Sequence, residues 1–221
     1  MQHHIDKNQL LEMEQRQRAV LINSLGGFKS VCMIGTVNAK GKSNLACFSS
    51  LVHLGANPAL LAFVMRPATV ERHTLENILA TNVFTVNHLN EGIYKQAHQT
   101  SASYPADVSE FEATGLTEEF KEDFLAPFVK QSRVKFGMRF REKIDLKINN
   151  TSLIIGEIEQ IYFPEDCLQE DGFVDLEKAG TLTCSGLDAY HSTKKLARLS
   201  YAKPYQVSTI INQEEENNNQ K

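Results

Sequence analysis

The residues from Lys143 to Phe163 constrain the fold of this chain more than any other stretch. Lys143 to Ile148 (KIDLKI) alternates polar and apolar side chains strictly, Asn149 and Asn150 can turn, and Ser152 to Phe163 runs on until Pro164 stops it. Period-two alternation puts successive side chains on opposite faces of an extended segment, so this is a long antiparallel pair. Further strands are expected from Phe28, Ser43, Ala59, Asn82 and Val134. Little helix separates most of them, which favours a mainly β, closed or nearly closed antiparallel barrel over a βαβ fold.

The other elements follow from local signals. Asp6 to Leu25 reads as one helix, capped by Asp6 or Asn8, with loosely spaced apolar positions and a Gly26-Gly27 stop. It is expected to lie on the barrel or on a partner subunit. Phe28 to Asn38 and Ser43 to Leu54 form a hairpin through Ala39-Lys40-Gly41-Lys42. Gly55-Ala56-Asn57-Pro58 is a turn into the apolar strand Ala59 to Met65, and a helix starts at Thr74. A short helix runs from Glu91 to about Gln99. Thr100 to Gly115 reads as an ordered loop or lid anchored by Phe111. The expected division is an N-terminal helix (1–26), one barrel domain (27–211) and a disordered tail (212–221, NQEEENNNQK) too polar to bury anything.

Composition excludes several classes. The chain has 221 residues, 42% hydrophobic and 23% charged, long enough for one barrel-sized domain. Its net charge of −4, from 23 basic and 27 acidic residues, provides no field to attract nucleic acid or an anionic membrane. No 18-residue apolar run and no signal-peptide core occurs, so a cytoplasmic setting is expected. The four cysteines, Cys32, Cys47, Cys167 and Cys184, lack metal-ligand spacing and read as free thiols. No HExxH occurs among the seven histidines, and no metal is expected. GxGxxG and GxxxxGK[ST] are also missing, which leaves a Rossmann or P-loop nucleotide site without support.

The functional signal is concentrated between Ser43 and Asn77. Ser43, Asn44, Ala46, Ser49 and Ser50 interrupt an apolar strand with small and hydroxyl side chains, over which a flat ligand can approach the backbone. Arg66, Arg72 and His73 then gather around a helix start at Thr74. Such an end attracts phosphate through unpaired N–H groups, the positive helix pole and charge-assisted donors. Each feature has a plainer reading: Thr74 is a good N-cap with Asn77 three positions on, the small residues suit a barrel edge, and the cations suit a surface.

The collinear series resembles the flavin reductase-like family of FMN-binding split β-barrels. It continues through NVFTVN (Asn82 to Asn87), HQTSASYPADVSEFEATGL (His98 to Leu116), LIIGEIEQIYF (Leu153 to Phe163) and GLDAYHSTKKLARLSYAKP (Gly186 to Pro204). The resemblance covers roughly residues 27–204. It implies a Greek-key split barrel with a few peripheral helices, FMN as cofactor, and a homodimer with flavin near the interface. It implies ring contacts from Asn44, Ala46, Cys47, Phe48, Ser49, Ser50, and from Ser101 and Ala102. Phosphate contacts are implied from Arg66, Arg72, His73, Thr74 and Asn77. In short-chain members a Gly-Asp-His triplet associated with nicotinamide handling precedes the strand carrying a glycine like Gly156. Asn150, Thr151 and Ser152 stand near that place here. The chain therefore looks closer to the flavoredoxin-like branch, with NADH, NADPH or a redox protein as candidate electron donors. The implied function is an FMN-binding oxidoreductase, transferring electrons or hydride through the flavin. The alternative is a redox-inactive flavin-binding or interaction module on a small β-barrel. No acid or base catalyst stands out.

Overall fold

The computed structural model describes residues 1–67, 73–105, 107–121 and 123–211. The elements run α1 (Lys7–Glu12), α2 (Gln15–Leu25), β1 (Lys29–Ser30), β2 (Cys32–Val37), β3 (Ser43–Phe48), β4 (Val52–Ala56) and β5 (Ala59–Met65). After α3 (His73–Thr81) come β6 (Val83–His88), α4 (Tyr94–Gln99), α5 (Glu110–Thr114), β7 (Glu118–Glu119) and β8 (Phe128–Val129). The long pair β9 (Lys135–Leu146) and β10 (Thr151–Tyr162) is followed by β11 (Thr183–Ser185), β12 (Ala189–His191), β13 (Arg198–Leu199) and β14 (Ile210–Ile211).

The main sheet has seven strands in the order β3-β2-β6-β9-β10-β5-β4, every pair antiparallel. The expected split barrel is what forms. Its split falls between β3 and β4, consecutive in sequence yet at opposite edges of the sheet. The single strand expected from Ser43 to Leu54 is therefore two, broken at Ser49 to Leu51. At the break the Ser50 hydroxyl accepts the Val64 N–H at 3.0 Å and donates to the Val64 carbonyl at 3.4 Å. One side chain thus satisfies a β5 residue beyond the last β4 partner, Val52↔Ala62.

Other boundaries also move. The helix expected over Asp6 to Leu25 is two helices, because Asp6 and Gln9 form a capping box for α1 while the Glu14 carboxylate accepts the Gln17 N–H and starts α2. Neither buries a residue. The turn expected at Gly55 to Pro58 narrows to Asn57-Pro58, with Gly55 and Ala56 inside β4. The expected strands at Val134 and Lys143 are one, β9, and Asn150 turns it into β10 at φ 57°. The lid expected at Thr100 to Gly115 contains α5, because Phe111 is buried and Gly115 ends the turn in the left-handed region at φ 71°. The tail from Asn212 to Lys221 lies outside the described residues.

β2 is buried on both faces, which positions everything around it. Its even-numbered side chains, Cys32 and Ile34, join Phe63, Phe84, Met138 and Ile154 inside the barrel. Met33 faces an outer layer instead, with Leu45, Leu89, Ala97, Phe111 and Val129. Crowding dictates glycine at two points: a Cβ at Gly35 would lie 2.3 Å from the Pro127 carbonyl oxygen, and one at Gly156 2.6 Å from Phe84.

Candidate functional site

β3 is an edge strand with two different faces. Asn44 and Phe48 point toward the barrel interior and α3, whereas Leu45 and Cys47 point into the outer layer. The strand's outer edge is unpaired with any strand among the described residues. Along it the Leu45 N–H donates to Glu110 Oε2 at 2.9 Å, so by the antiparallel alternation the N–H and C=O of Cys47 also point to that edge. These groups, beside half-buried Ala46, Cys47 and Phe48, form a flat surface with alternating donors and acceptors.

On the α3 side, a neutral polar network closes the barrel end. The Asn44 amide donates to Thr74 Oγ1 at 3.1 Å and to Thr36 Oγ1 at 3.3 Å, and the Asn77 amide donates to Thr36 Oγ1 at 3.1 Å. All four side chains are buried. α3 begins at His73, one residue before the expected start, so Thr74 sits in its first turn. Because Thr74 Oγ1 accepts from Asn44, its hydroxyl proton is left to donate elsewhere. Beside the network lies a cavity of about 200 Å³, lined by Lys42, Ser43, Asn44, His73, Asn77 and Val108 among others. Glu110 is close to Lys42 and His73. Burial holds its carboxyl above the usual range, against the Leu45 N–H and those two cations.

On the outer face, the Cys47 thiol lies beside the side chains of Ser101 and Tyr190. Burial, with Cys184 nearby, pushes its thiol up to about 12. Tyr190 Oη lies 2.8 Å from His98 Nδ1, and its ring packs against Tyr94 at 5.6 Å between centroids. Burial raises the Tyr190 phenol above its ordinary value, with Cys47 and Cys184 adding to the shift. Ser49 lies near the Cys184 thiol.

The structure therefore divides the expected residues. Asn44, Thr74, His73 and Asn77 come together at the α3 end, while Cys47, Ser49 and Ser101 come together on the outer face. Ala46 and Phe48 line the strand between them, and Ala102 is exposed just past Ser101. Ser50 is committed to Val64 at the split. Arg66 is exposed at the end of β5, and Arg72 lies outside the described residues. Sequence reasoning missed Thr36, Lys42, Glu110, His98, Tyr190 and Cys184. Thr36 was within reach, since a hairpin turning at residues 39–42 pairs it with Asn44. The others depend on long-range packing that no local pattern marks. The four cysteines are free thiols, and no group of three or more His, Cys, Asp or Glu with metal-binding geometry occurs among the described residues. No helix among them is long and apolar enough to cross a membrane.

The flavin reductase like domain profile matches residues 25–180. A protein from Shewanella frigidimarina, described as a candidate flavin reductase with a split barrel domain, is 51% identical; the match covers 91% of this chain and 100% of that one, with a TM-score of 0.88. Nitrilotriacetate monooxygenase component B from Bacillus cereus shares the fold at 21% identity, over 90% of this chain and 99% of its own, with a TM-score of 0.78. Flavoredoxin of Desulfovibrio vulgaris does so at 20% identity, over 81% and 92%, with a TM-score of 0.67. With the profile spanning the barrel from β1 to β10 and the site elements β3, α3 and α4, the chain belongs to the flavin reductase-like family of split-barrel proteins.

Proposed function

We propose that this chain binds FMN, with the ring against the free edge of β3 and the phosphate at the first turn of α3, and acts as a flavin-dependent oxidoreductase. The observation that carries this reading is the junction of β3 with α3. There a strand edge with open backbone groups ends beside a cavity lined by Lys42, His73, the amides of Asn38, Asn44 and Asn77, the Ser43 hydroxyl and the Glu76 carboxylate, next to Thr74, whose hydroxyl accepts from Asn44. The residues fit the group: a flat ring needs donors and acceptors without bulk, and a phosphate needs cations and N–H groups at a helix start. Thr74, His73 and Lys42 bind the phosphate, joined by Arg72 from just before α3 in sequence. Cys47 offers its backbone N–H and C=O to the ring's polar edge, and Ser101 and Ala102 close over it from the end of α4. Bound FMN supplies the redox chemistry, taking up a hydride and passing electrons on. NADH, NADPH and a redox protein are the candidate donors. Two charge-assisted phosphate bonds at about 1.5–3 kcal/mol each supply a large part of the roughly 8 kcal/mol that micromolar affinity requires.

Titration with FMN, followed by fluorescence quenching, tests the reading, and saturable binding in the micromolar range is expected. No saturation up to millimolar FMN would leave a barrel-type interaction module in its place. Arg72→Ala should weaken FMN by about ten- to a hundredfold, as one charge-assisted bond to a dianion is lost. Riboflavin, lacking the phosphate, should bind this variant as it binds the wild type. Equal losses for both ligands would move the phosphate away from α3.

The same reading includes a homodimer. Leu11, Val20, Ile22, Leu25 and Phe28 are exposed along and after two helices that bury nothing of their own, and a two-fold contact covers such a surface. Light scattering should give twice the monomer mass. The free thiols suit a reducing, cytoplasmic setting.

A further inference from the structure

The stretch from Ser192 to Ile211 contains no buried residue and lies beyond residue 180, where the family profile ends. Its root is pinned to the chain's own 165–175 loop. Lys195 pairs with Asp175, and Arg198 bonds Gln169 and Asp171 while its guanidinium lies over the Phe173 ring at 4.0 Å. Beyond the root, β13 and β14 pair only with each other, with Leu199 opposite Ile210 and the Ser200 N–H donating to the Thr209 carbonyl at 2.8 Å. Leu196, Tyr201, Tyr205 and Val207 are each at least 88% exposed. A two-stranded ribbon that holds its apolar side chains in water is marginal at best, so a surface elsewhere has to cover this arm. The ten residues after Ile211, NQEEENNNQK, carry no apolar side chain to do so.

The same chain carries a matching surface. α3, α4 and α5 pack on β2 and β3, so helices clothe one half of the barrel. On the other half, Ile144 of β9 stands opposite Leu153 of β10, and Leu153 stands opposite Val64 of β5. The alternate residues Phe63, Met65 and Ile154 fill the barrel, which puts this row on the outside. Ile144 and Leu146, with Val52 on β4, are 39–46% exposed, so the face is apolar and bare. Charge is complementary as well. Residues 192–211 hold four cations, Lys194, Lys195, Arg198 and Lys203, and no carboxylate. Three carboxylates, Glu142, Glu157 and Glu159, border the bare face against two guanidiniums, Arg139 and Arg141. A chain that displays both halves of a complementary contact closes it with a second copy through a two-fold. Resting on the homodimer in the reading above, we propose that the arm of each chain, residues 196–211, lies across the bare β9-β10-β5-β4 face of the other. Two tyrosines per arm bury about 300–500 Å² and cover as much of the face, so the two contacts of the dimer reach about 1,200–2,000 Å², the size of a stable specific interface.

Sedimentation equilibrium of the full-length chain tests the contact. Tyr201→Ala combined with Tyr205→Ala should raise the dimer dissociation constant by about a hundredfold, as expected for aromatic anchors at an interface. Ile144→Lys on the face should raise it by a similar factor. All three side chains are exposed within the chain, so the circular dichroism spectrum of each variant should match that of the wild type. Joining the arm and face substitutions in one chain should add little to either, because both then remove the same contact, whereas separate contacts would multiply the losses. An arm or face variant that dimerises as the wild type does overturns the proposal and leaves the dimer to the N-terminal helices. Multiplied losses overturn the pairing of arm with face. A wild type that sediments at the monomer mass of 24.8 kDa overturns the homodimer beneath the proposal.

Discussion

The two faces of β3 differ in kind. Toward α3, Asn44 meets Thr36, Thr74 and Asn77, a closed set of neutral amides and hydroxyls in which nothing titrates. At its edge and toward the outer layer the same strand meets Glu110 and, beside its own Cys47, Tyr190, which in turn meets His98, every one a group that can gain or lose a proton. Side-chain alternation along six residues produces this separation. The Asn44 network keeps its geometry at any pH, whereas the groups along the edge and outer side of β3 can change their charge.

The comparison breaks first if the outer face is only packing. Leu45 is fully buried there, between Glu110's bond to its backbone and the Met33, Phe111 and Val129 side chains. Leu45→Ala should cost about 2–5 kcal/mol in denaturant unfolding, the largest effect expected on this strand. A loss under 1 kcal/mol would mean that the α4 and α5 layer closes over the gap and does not hold β3 in place. Asn44→Ala probes the other face. It removes two donated hydrogen bonds and leaves the Thr74 hydroxyl to find a new partner in a buried site, while Thr36 keeps its bond from Asn77, which should cost about 1–3 kcal/mol. Because none of these groups ionises, that cost should be the same from pH 5 to pH 8. A cost that varies with pH would show charge reaching this face.

How far sequence carried the fold can be seen at particular residues. The β9–β10 pair was legible because KIDLKI alternates over a half-exposed surface, where the period is written in the residues themselves. β3 and β4 were merged because nothing local marks the split: Ser49 to Leu51 carry no Gly or Pro, and the break exists only because β4 pairs with β5 on the far side of the sheet. At the α3 end, sequence marked His73, Thr74 and Asn77 as adjacent positions at one helix start, and these come together with Asn44. Their hydrogen bonds were not legible, since Asn44 turned out to hold Thr74 and not to stand free in the ring surface. The outer face was nearly silent. Tyr190 and Glu110 reach β3 across long sequence separations, and a tyrosine in a loop-like segment has no periodicity to give it away.

The smallest expected effect lies in how stability changes with pH, and it separates the faces most sharply. Burial holds the Glu110 carboxyl above its ordinary value of 4.5, although the Leu45 N–H, His73 and Lys42 pull it back. A carboxyl whose folded value is raised binds its proton more tightly when folded, so its favourable contribution is full below the unfolded value and is lost as pH rises through the folded value. Wild-type stability should therefore carry a downward component starting near pH 4.5 and ending once Glu110 is ionised. Glu110→Gln keeps an oxygen to accept the Leu45 N–H and has no proton to lose, so the component should vanish. Unfolding free energies of the two proteins, measured at closely spaced pH values, should show the variant's relative stability rising through that window and then levelling. FMN affinity should rise as well, because a carboxylate has left the neighbourhood of Lys42 and His73, the proposed phosphate partners. A difference between the proteins that stays flat with pH would mean the Glu110 carboxylate is as well solvated folded as unfolded, and the outer face of β3 would then be as inert as the one that holds Asn44.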